Sequence, residues 1–229
     1  VELSGVNAPT ALTLGDFSAG TFVVTMGGAT PDSRAGSAAA DTIYGFAGAG
    51  TLSGLLANDS LSGGSGNDLM QGGADSDRYI VDNAGDVVDE FLAGSNGLDL
   101  VQSTISFNLA DTVHVKGAVE NLTLLNVSTA LNGTGNALGN TITGNNFNNV
   151  LNGGLGNDTI RGDDGSDSLF GGDGNDSIDA GNGNDTIDGG TGNDTIDGGD
   201  ATDSHHRQRQ SEETAAQSTA NASAPRMMF

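Results

Sequence analysis

Aspartate recurs every nine residues toward the carboxyl end of this chain, at Asp158, Asp167, Asp176, Asp185, Asp194 and Asp203. All but the last are followed two residues later by an aliphatic side chain: Ile160, Leu169, Ile178, Ile187 and Ile196. The blocks that carry them run from Gly153 to Asp197 as GGLGNDTIR, GDDGSDSLF, GGDGNDSID, AGNGNDTID and GGTGNDTID. A truncated GGDATD at Gly198 to Asp203 closes the series. Glycine at places one, two and four tolerates positive φ, so six residues can turn with their carbonyl oxygens facing the same way. The carboxylate at place six joins them to give an all-oxygen pocket. Hard cations with flexible coordination, calcium above all, suit such pockets.

Those pockets need elements that stack them. The last three residues of each block read as a very short strand whose middle side chain points inward. Two blocks make one coil of 18 residues, so Asp158 stacks beneath Asp176 and Asp194. Asp167, Asp185 and Asp203 then form a second row on the opposite edge. A cation wedged between stacked turns would be shared by Asp158 and Asp176, by Asp167 and Asp185, or by Asp176 and Asp194.

The blocks resemble RTX (hemolysin-type) calcium-binding repeats, of which this nonapeptide is the signature. The resemblance implies an all-β fold, a parallel β-roll or β-helix solenoid of nonapeptide repeats with calcium between turns. It also implies that shared aspartates and turn carbonyls hold each ion. Those roles fall on the six aspartates above and on Gly154, Gly156, Gly165, Gly172, Gly174, Gly181, Gly183, Gly190 and Gly192.

A weaker array occupies the same frame nearer the amino end, with blocks beginning at Gly36, Gly45, Gly54, Gly63 and Gly72. Its inward ladder is Ile43, Leu52, Leu61, Met70 and Tyr79, and Asp41, Asp59, Asp68 and Asp77 hold place six. Gly50 has no carboxylate, and only GGSGND, from Gly63 to Asp68, is intact. We expect a coil with one or two weak calcium sites, placed on Asp59, Asp68 and Asp77 and best between Asp59 and Asp77.

The organisation expected is therefore a non-repeat segment over 1–35, a degenerate array over 36–80, a β-rich spacer over 81–134 and a main array over 135–203. Within the last, 135–152 is metal-poor because Asn140 and Asn149 replace aspartate, and 153–203 binds calcium. In the spacer, Val101, Ser103, Ile105, Phe107 and Leu109 alternate with polar residues, as do Val113 and Val115 with His114 and Lys116, which is strand periodicity. Its segments DRYIVDNAGDVVDE and VENLTL resemble the stretch between RTX arrays, read as wider coils that continue the solenoid. The asparagine coils are expected to cap the good array, since terminal repeats are atypical. The tail, 204–229, has no glycine and no ladder. The resemblance makes it an export signal for a type I secretion apparatus, while the abrupt change of composition equally fits an accidental tail.

Composition narrows the function. The chain of 229 residues carries a formal net charge of −23 and has no cysteine or tryptophan. Such acidity opposes compaction unless cations neutralise it, and it argues against nucleic acid as a partner. No run approaches the roughly 20 apolar residues of a membrane-spanning helix. No H-E-x-x-H, G-x-S-x-G or G-x-x-x-x-G-K occurs, and the neighbours Asp163 and Asp164 diverge too far for an acid–base pair. His205 and His206 are better read as tail than as a metal pair. The expected protein is a calcium-binding, secreted, extracellular repeat protein, not an enzyme, whose folding is driven by extracellular calcium. Two alternatives stay open: the export and folding module of a secreted enzyme or toxin, or a surface or matrix adhesin. The target surface is not named by any residue.

Overall fold

The structure is a computed structural model, and it describes residues 33–90, 97–127, 129, 131–200 and 202–206. Every element among them is a short strand. In the first coils these are β1 (Ser33–Ala35), β2 (Thr42–Tyr44), β3 (Thr51–Leu55), β4 (Ser60–Ser62), β5 (Leu69–Gly73), β6 (Arg78–Val81) and β7 (Val87–Asp89). The middle holds β8 (Leu100–Ser103), β9 (Phe107–Asn108), β10 (Val115–Lys116) and β11 (Asn121–Leu124). The last coils give β12 (Asn132–Thr134), β13 (Thr141–Thr143), β14 (Val150–Leu155), β15 (Thr159–Arg161) and β16 (Ser168–Asp173). They finish with β17 (Ser177–Asp179), β18 (Thr186–Thr191), β19 (Thr195–Asp197) and β20 (Ser204–His206).

All the strand pairs are parallel, and the chain winds as a solenoid. One face is a single nine-stranded sheet in the order β19-β17-β15-β13-β11-β8-β6-β4-β2. The other face is split into a sheet β1-β3-β5-β7-β10 and a sheet β20-β18-β16-β14-β12-β9. The split falls in one coil, where β10 pairs back to β7 and β9 pairs forward to β12. In the regular coils the register is 18 residues: Ile160 lies against Ile178, and Leu169 against Ile187. Most strands contribute one inward side chain, β6, β8 and β11 contribute two, and Ile43, Leu52, Leu61, Met70, Tyr79, Val88, Val101, Leu122, Ile142, Leu151, Ile160, Leu169 and Ile187 have no solvent exposure. The fold is the parallel β-roll that the repeat implied.

Glycine does two different jobs in the turns. Gly154 and Gly156, at places two and four, have φ of 105° and 108°. Gly153, at place one, has no positive φ but no room for a side chain, because a Cβ there would collide with Asp158 Oδ2 and the Gly171 carbonyl. The expectation that place one also needs positive φ is thus corrected: that glycine supplies space. Where the earlier coils lack glycine, the turn still forms, with Leu55 at φ 86°, Ala57 at 73° and Asp75 at 73°.

The spacer differs in detail from its periodicity. Val101 to Leu109 is not one strand: β8 ends at Ser103 and β9 begins at Phe107, with Ser103 Oγ donating to the Ile105 carbonyl across the bend at 2.8 Å. Val113 is 67% exposed while Val115 is buried, so their alternation breaks. His114 lies in a turn before β10 rather than on a strand, with Nδ1 2.8 Å from Asp111 Oδ2. That contact holds the Asp111 carboxyl below its ordinary range. The asparagine coils, β13 and β14, sit inside the continuous stack and not at its end. Ser204–His206, read from sequence as the start of the tail, pair with Thr186–Asp188. Residues 1–32 of the non-repeat segment, and the rest of the tail, lie outside the described residues.

The two glycine roles predict opposite outcomes at equivalent places. A left-handed alanine costs about 1–2 kcal/mol, against about 0.5–1 kcal/mol for the freedom glycine loses on folding. Ala57→Gly should therefore stabilise the calcium-loaded protein by about 0.5–1 kcal/mol in a urea titration. Gly156→Ala should lose about 2 kcal/mol or more, because a Cβ there also meets the Leu138 carbonyl.

Candidate metal centre

The place-six side chain of every coil turns inward at the edge of the roll, just before a strand. Along one edge these residues form an unbroken column. The Asp41 amide donates to Asp59 Oδ1 at 2.7 Å, Asp59 to Asp77 at 2.7 Å, and Asp77 to Asp99 at 2.8 Å. The Asp99 amide donates to Glu120 Oε2 at 2.9 Å. Beyond the spacer, Asn140 donates to Asp158 Oδ1 at 2.6 Å, Asp158 to Asp176 at 2.8 Å and Asp176 to Asp194 at 3.1 Å. On the other edge Asp68 donates to Asp86 at 3.0 Å, Asn149 to Asp167 at 2.7 Å, Asp167 to Asp185 at 2.7 Å and Asp185 to Asp203 at 3.1 Å.

Each such bond uses one carboxylate oxygen; the other is taken up at Asp86, where Oδ2 accepts the Asp82 and Asn83 amides, but not at most of the others. Oδ2 of Asp59, Asp68, Asp77, Asp158, Asp167, Asp176 and Asp185 is buried without a hydrogen-bond partner. An ionised carboxylate accepts only, so that atom calls for a donor, a proton or a cation. Asp158 is 1% exposed, and an unsatisfied buried acceptor costs about 1–3 kcal/mol, more when charged. Oxygen is what surrounds it. The point beside Gly153 where a Cβ would sit is crowded by Asp158 Oδ2 and the Gly171 carbonyl. The point beside Gly171 is likewise shared by Asp176 Oδ2 and the Gly189 carbonyl. The second and fourth places add files of carbonyls. Those of Gly154 and Gly172 face Gly172 and Gly190, and those of Gly156 and Gly174 face Gly174 and Gly192. On the second edge the carbonyls of Asp163 and Gly165 face Gly181 and Gly183.

The two asparagine coils are a built-in comparison. Asn140 Nδ2 donates to the Glu120 carbonyl at 3.1 Å, and Asn149 Nδ2 to the Leu131 carbonyl at 2.7 Å. An amide nitrogen supplies its own positive end to the neighbouring oxygens. Aspartate in the same place brings an acceptor to acceptors and leaves a hole shaped for positive charge. The donor set therefore fits a hard divalent cation such as calcium, which takes six to eight oxygens.

Every glycine singled out from sequence, Gly165 included, adopts the left-handed turn conformation, and every singled-out aspartate lies in one of the two columns. Asp59, Asp68 and Asp77, expected to make one or two weak sites at most, have the same orphaned oxygen as the main array. Sequence reasoning missed Asp86, Asp99 and Glu120, which carry the columns into the spacer. The available signal was an acid followed two residues later by Val88, Val101 or Leu122. Frame-counting hid two of them, because the coil steps there are 22 and 21 residues instead of 18.

Burial, reinforced by the like charge stacked above or below, raises these carboxyls. Asp59, Asp158 and Asp167 are pushed up to about 6, Asp77 to about 7, and Asp176 and Asp185 are raised. Each binds its proton more tightly when folded than when unfolded. Their contribution to the metal-free fold is complete below the ordinary value of 3.8 and is lost as pH rises through about 6 to 7. In chelator, far-UV circular dichroism should thus show more β-structure at pH 5 than at pH 7.5. A loss of β-structure on acidification to pH 5 would oppose this picture.

Comparison with known proteins agrees with the geometry. The family model for the RTX calcium-binding nonapeptide repeat (four copies) matches at residues 26–61, 44–79, 53–88, 134–169 and 170–204. No curated protein matches the chain. The expected ligand of these repeats is Ca2+. The matched spans cover more than half of the sequence, and the chain belongs to the RTX (hemolysin-type) calcium-binding repeat family.

Proposed function

We propose that the aspartate columns bind calcium between stacked turns, and that this binding drives folding of the roll outside the cell. The observation that carries the reading is the row of buried Oδ2 atoms without partners, set against the self-satisfied amides of Asn140 and Asn149. Asp158, Asp176 and Asp194 would hold ions on one edge, Asp167, Asp185 and Asp203 on the other, and Asp59, Asp68 and Asp77 in the earlier coils. Turn carbonyls of the glycine-rich blocks complete each shell.

Location follows from linkage. Calcium that binds only the folded roll stabilises it by RT ln(1 + [Ca2+]/Kd). Extracellular modules have dissociation constants of roughly 10⁻⁴ to 10⁻³ M, so the scarce calcium of the cytoplasm leaves the acidic array unfolded. In that state it can thread a type I secretion apparatus, and it folds on meeting calcium outside. The described residues present an acidic roll, and we read the protein as secreted and non-catalytic. Among them, no helix is long and apolar enough to cross a membrane.

A far-UV circular dichroism titration from chelator tests the reading. Calcium should bring a cooperative gain of β-signal at neutral pH and magnesium should not. A full β-signal already present in chelator at pH 7.5 would sink it. The shared-carboxylate scheme has its own test. Asp176 accepts from Asp158 and donates to Asp194, so Asp176→Asn should weaken two sites together. Asp163→Asn, off the columns and at a place-two turn position that asparagine tolerates, should leave the calcium midpoint almost unmoved. Equal midpoints for the two variants would contradict the scheme.

A further inference from the structure

Where the regular coils meet the wider ones, the repeat is broken by one residue. Counting the nine-residue frame onward from Gly72 puts Val81 and then Glu90 at place one, where the regular blocks have glycine or, once, alanine (Ala180). In those blocks the hydrogen of that glycine leaves the space beside the place-six carboxylate open. Glu90 follows β7, next to β10, and its amide donates to the Lys116 carbonyl at 2.7 Å. Its side chain points inward toward the column. Asp77, Glu90 and Asp99 each offer a carboxylate oxygen within 4.8 Å of the others. All three are buried, Glu90 at 2% exposure.

We propose that Asp77, Glu90 and Asp99 form a separate calcium site at this junction, built on place one and not on the aspartate–glycine pattern of the repeats. Both Glu90 oxygens are buried without a hydrogen-bond partner, as are Asp77 Oδ2 and the Tyr79 hydroxyl. The Gly73 amide lies close enough to favour the Glu90 charge slightly, yet makes no hydrogen bond with it. Among the described residues no basic side chain pairs with any of the three acids. Tyr79 Oη and Asp77 Oδ2 crowd the same point beside Gly72, which brings a phenolic oxygen to the edge of the cluster. Glu120 adds a further charge, its Oε2 accepting the Asp99 amide at 2.9 Å. Three carboxylates and a phenolic oxygen converge here, and an all-oxygen set of this kind selects a hard cation. Burial, and then the charges of Asp99, Asp77 and Glu120, push the Glu90 carboxyl up to about 9, so a proton is the competing occupant.

The chain has two tyrosines and no tryptophan, which makes Tyr79 a local antenna for bound terbium. The test uses the full chain, terbium luminescence excited through tyrosine, and calcium counted by equilibrium dialysis. Glu90→Gln removes the charge at constant shape, and Asp99→Asn keeps the oxygen that accepts the Asp77 amide. Each variant should bind one calcium fewer per chain than the parent and lose tyrosine-sensitised emission. Tyr79→Phe should lose the emission alone. The calcium-induced gain of β-signal, read on the same samples, should survive in Glu90→Gln, whose side chain is not part of the aspartate columns. An unchanged calcium count in folded Glu90→Gln and Asp99→Asn would overturn the site and leave a cluster that shares protons. Asp77 and Asp99 also belong to the column, so Glu90 is the residue that separates this site from the folding switch. If the parent were folded in chelator yet lost one calcium on Glu90→Gln, the switch would fall and this site would remain.

Discussion

A carboxylate can accept hydrogen bonds and can never donate one. The roll buries such a group at the edge of coil after coil, and gives it one backbone amide from the coil before. The second oxygen of Asp158, Asp167, Asp176 and Asp185 then faces other oxygens. No rearrangement of side chains within the coil can satisfy it. A donor, a proton or a cation is needed there, and Ca2+ is the expected ligand of these repeats.

The rest of the architecture serves that constraint. Glycine at place one keeps the space beside the carboxylate clear, and glycine at places two and four turns the carbonyls onto the next coil. The inward ladder supplies a buried aliphatic or aromatic side chain on most strands. It fixes the register, because a slip of one residue would turn Ile160 or Leu169 outward. Register in turn stacks each aspartate on the next, 18 residues away. Core and columns thus specify the same winding. The core alone is thin, with the negative charge of the columns working against it.

Much of this was legible in the sequence because the repeat is a statement about a single turn. The spacing of Asp158, Ile160 and their successors contains the strand, the inward face and the stacking partner together. The spacer was harder. Asp99 and Glu120 do the same work as the regular aspartates, but extra residues in the preceding turns take them out of a nine-residue count. Alternation from Val101 to Leu109 suggested one strand, whereas the chain bends at Ser103 to supply strands to both faces of the roll. His114 was likewise placed on a strand, when its bond to Asp111 closes a turn. Turns of irregular length leave no periodic trace. Glu90 left a different trace, an acid at a place otherwise held by glycine or a small apolar residue, and its meaning appears only when Asp77 and Asp99 are seen beside it.

The account turns on positive charge filling the hole beside Oδ2, and anomalous diffraction from calcium-grown crystals would show it directly. Anomalous peaks should lie between successive aspartate turns, beside Oδ2 of Asp158, Asp167 and Asp176, and be absent beside Asn140 and Asn149. Well-ordered aspartate turns with no peak beside those oxygens, or peaks as strong at the asparagine turns, would contradict it.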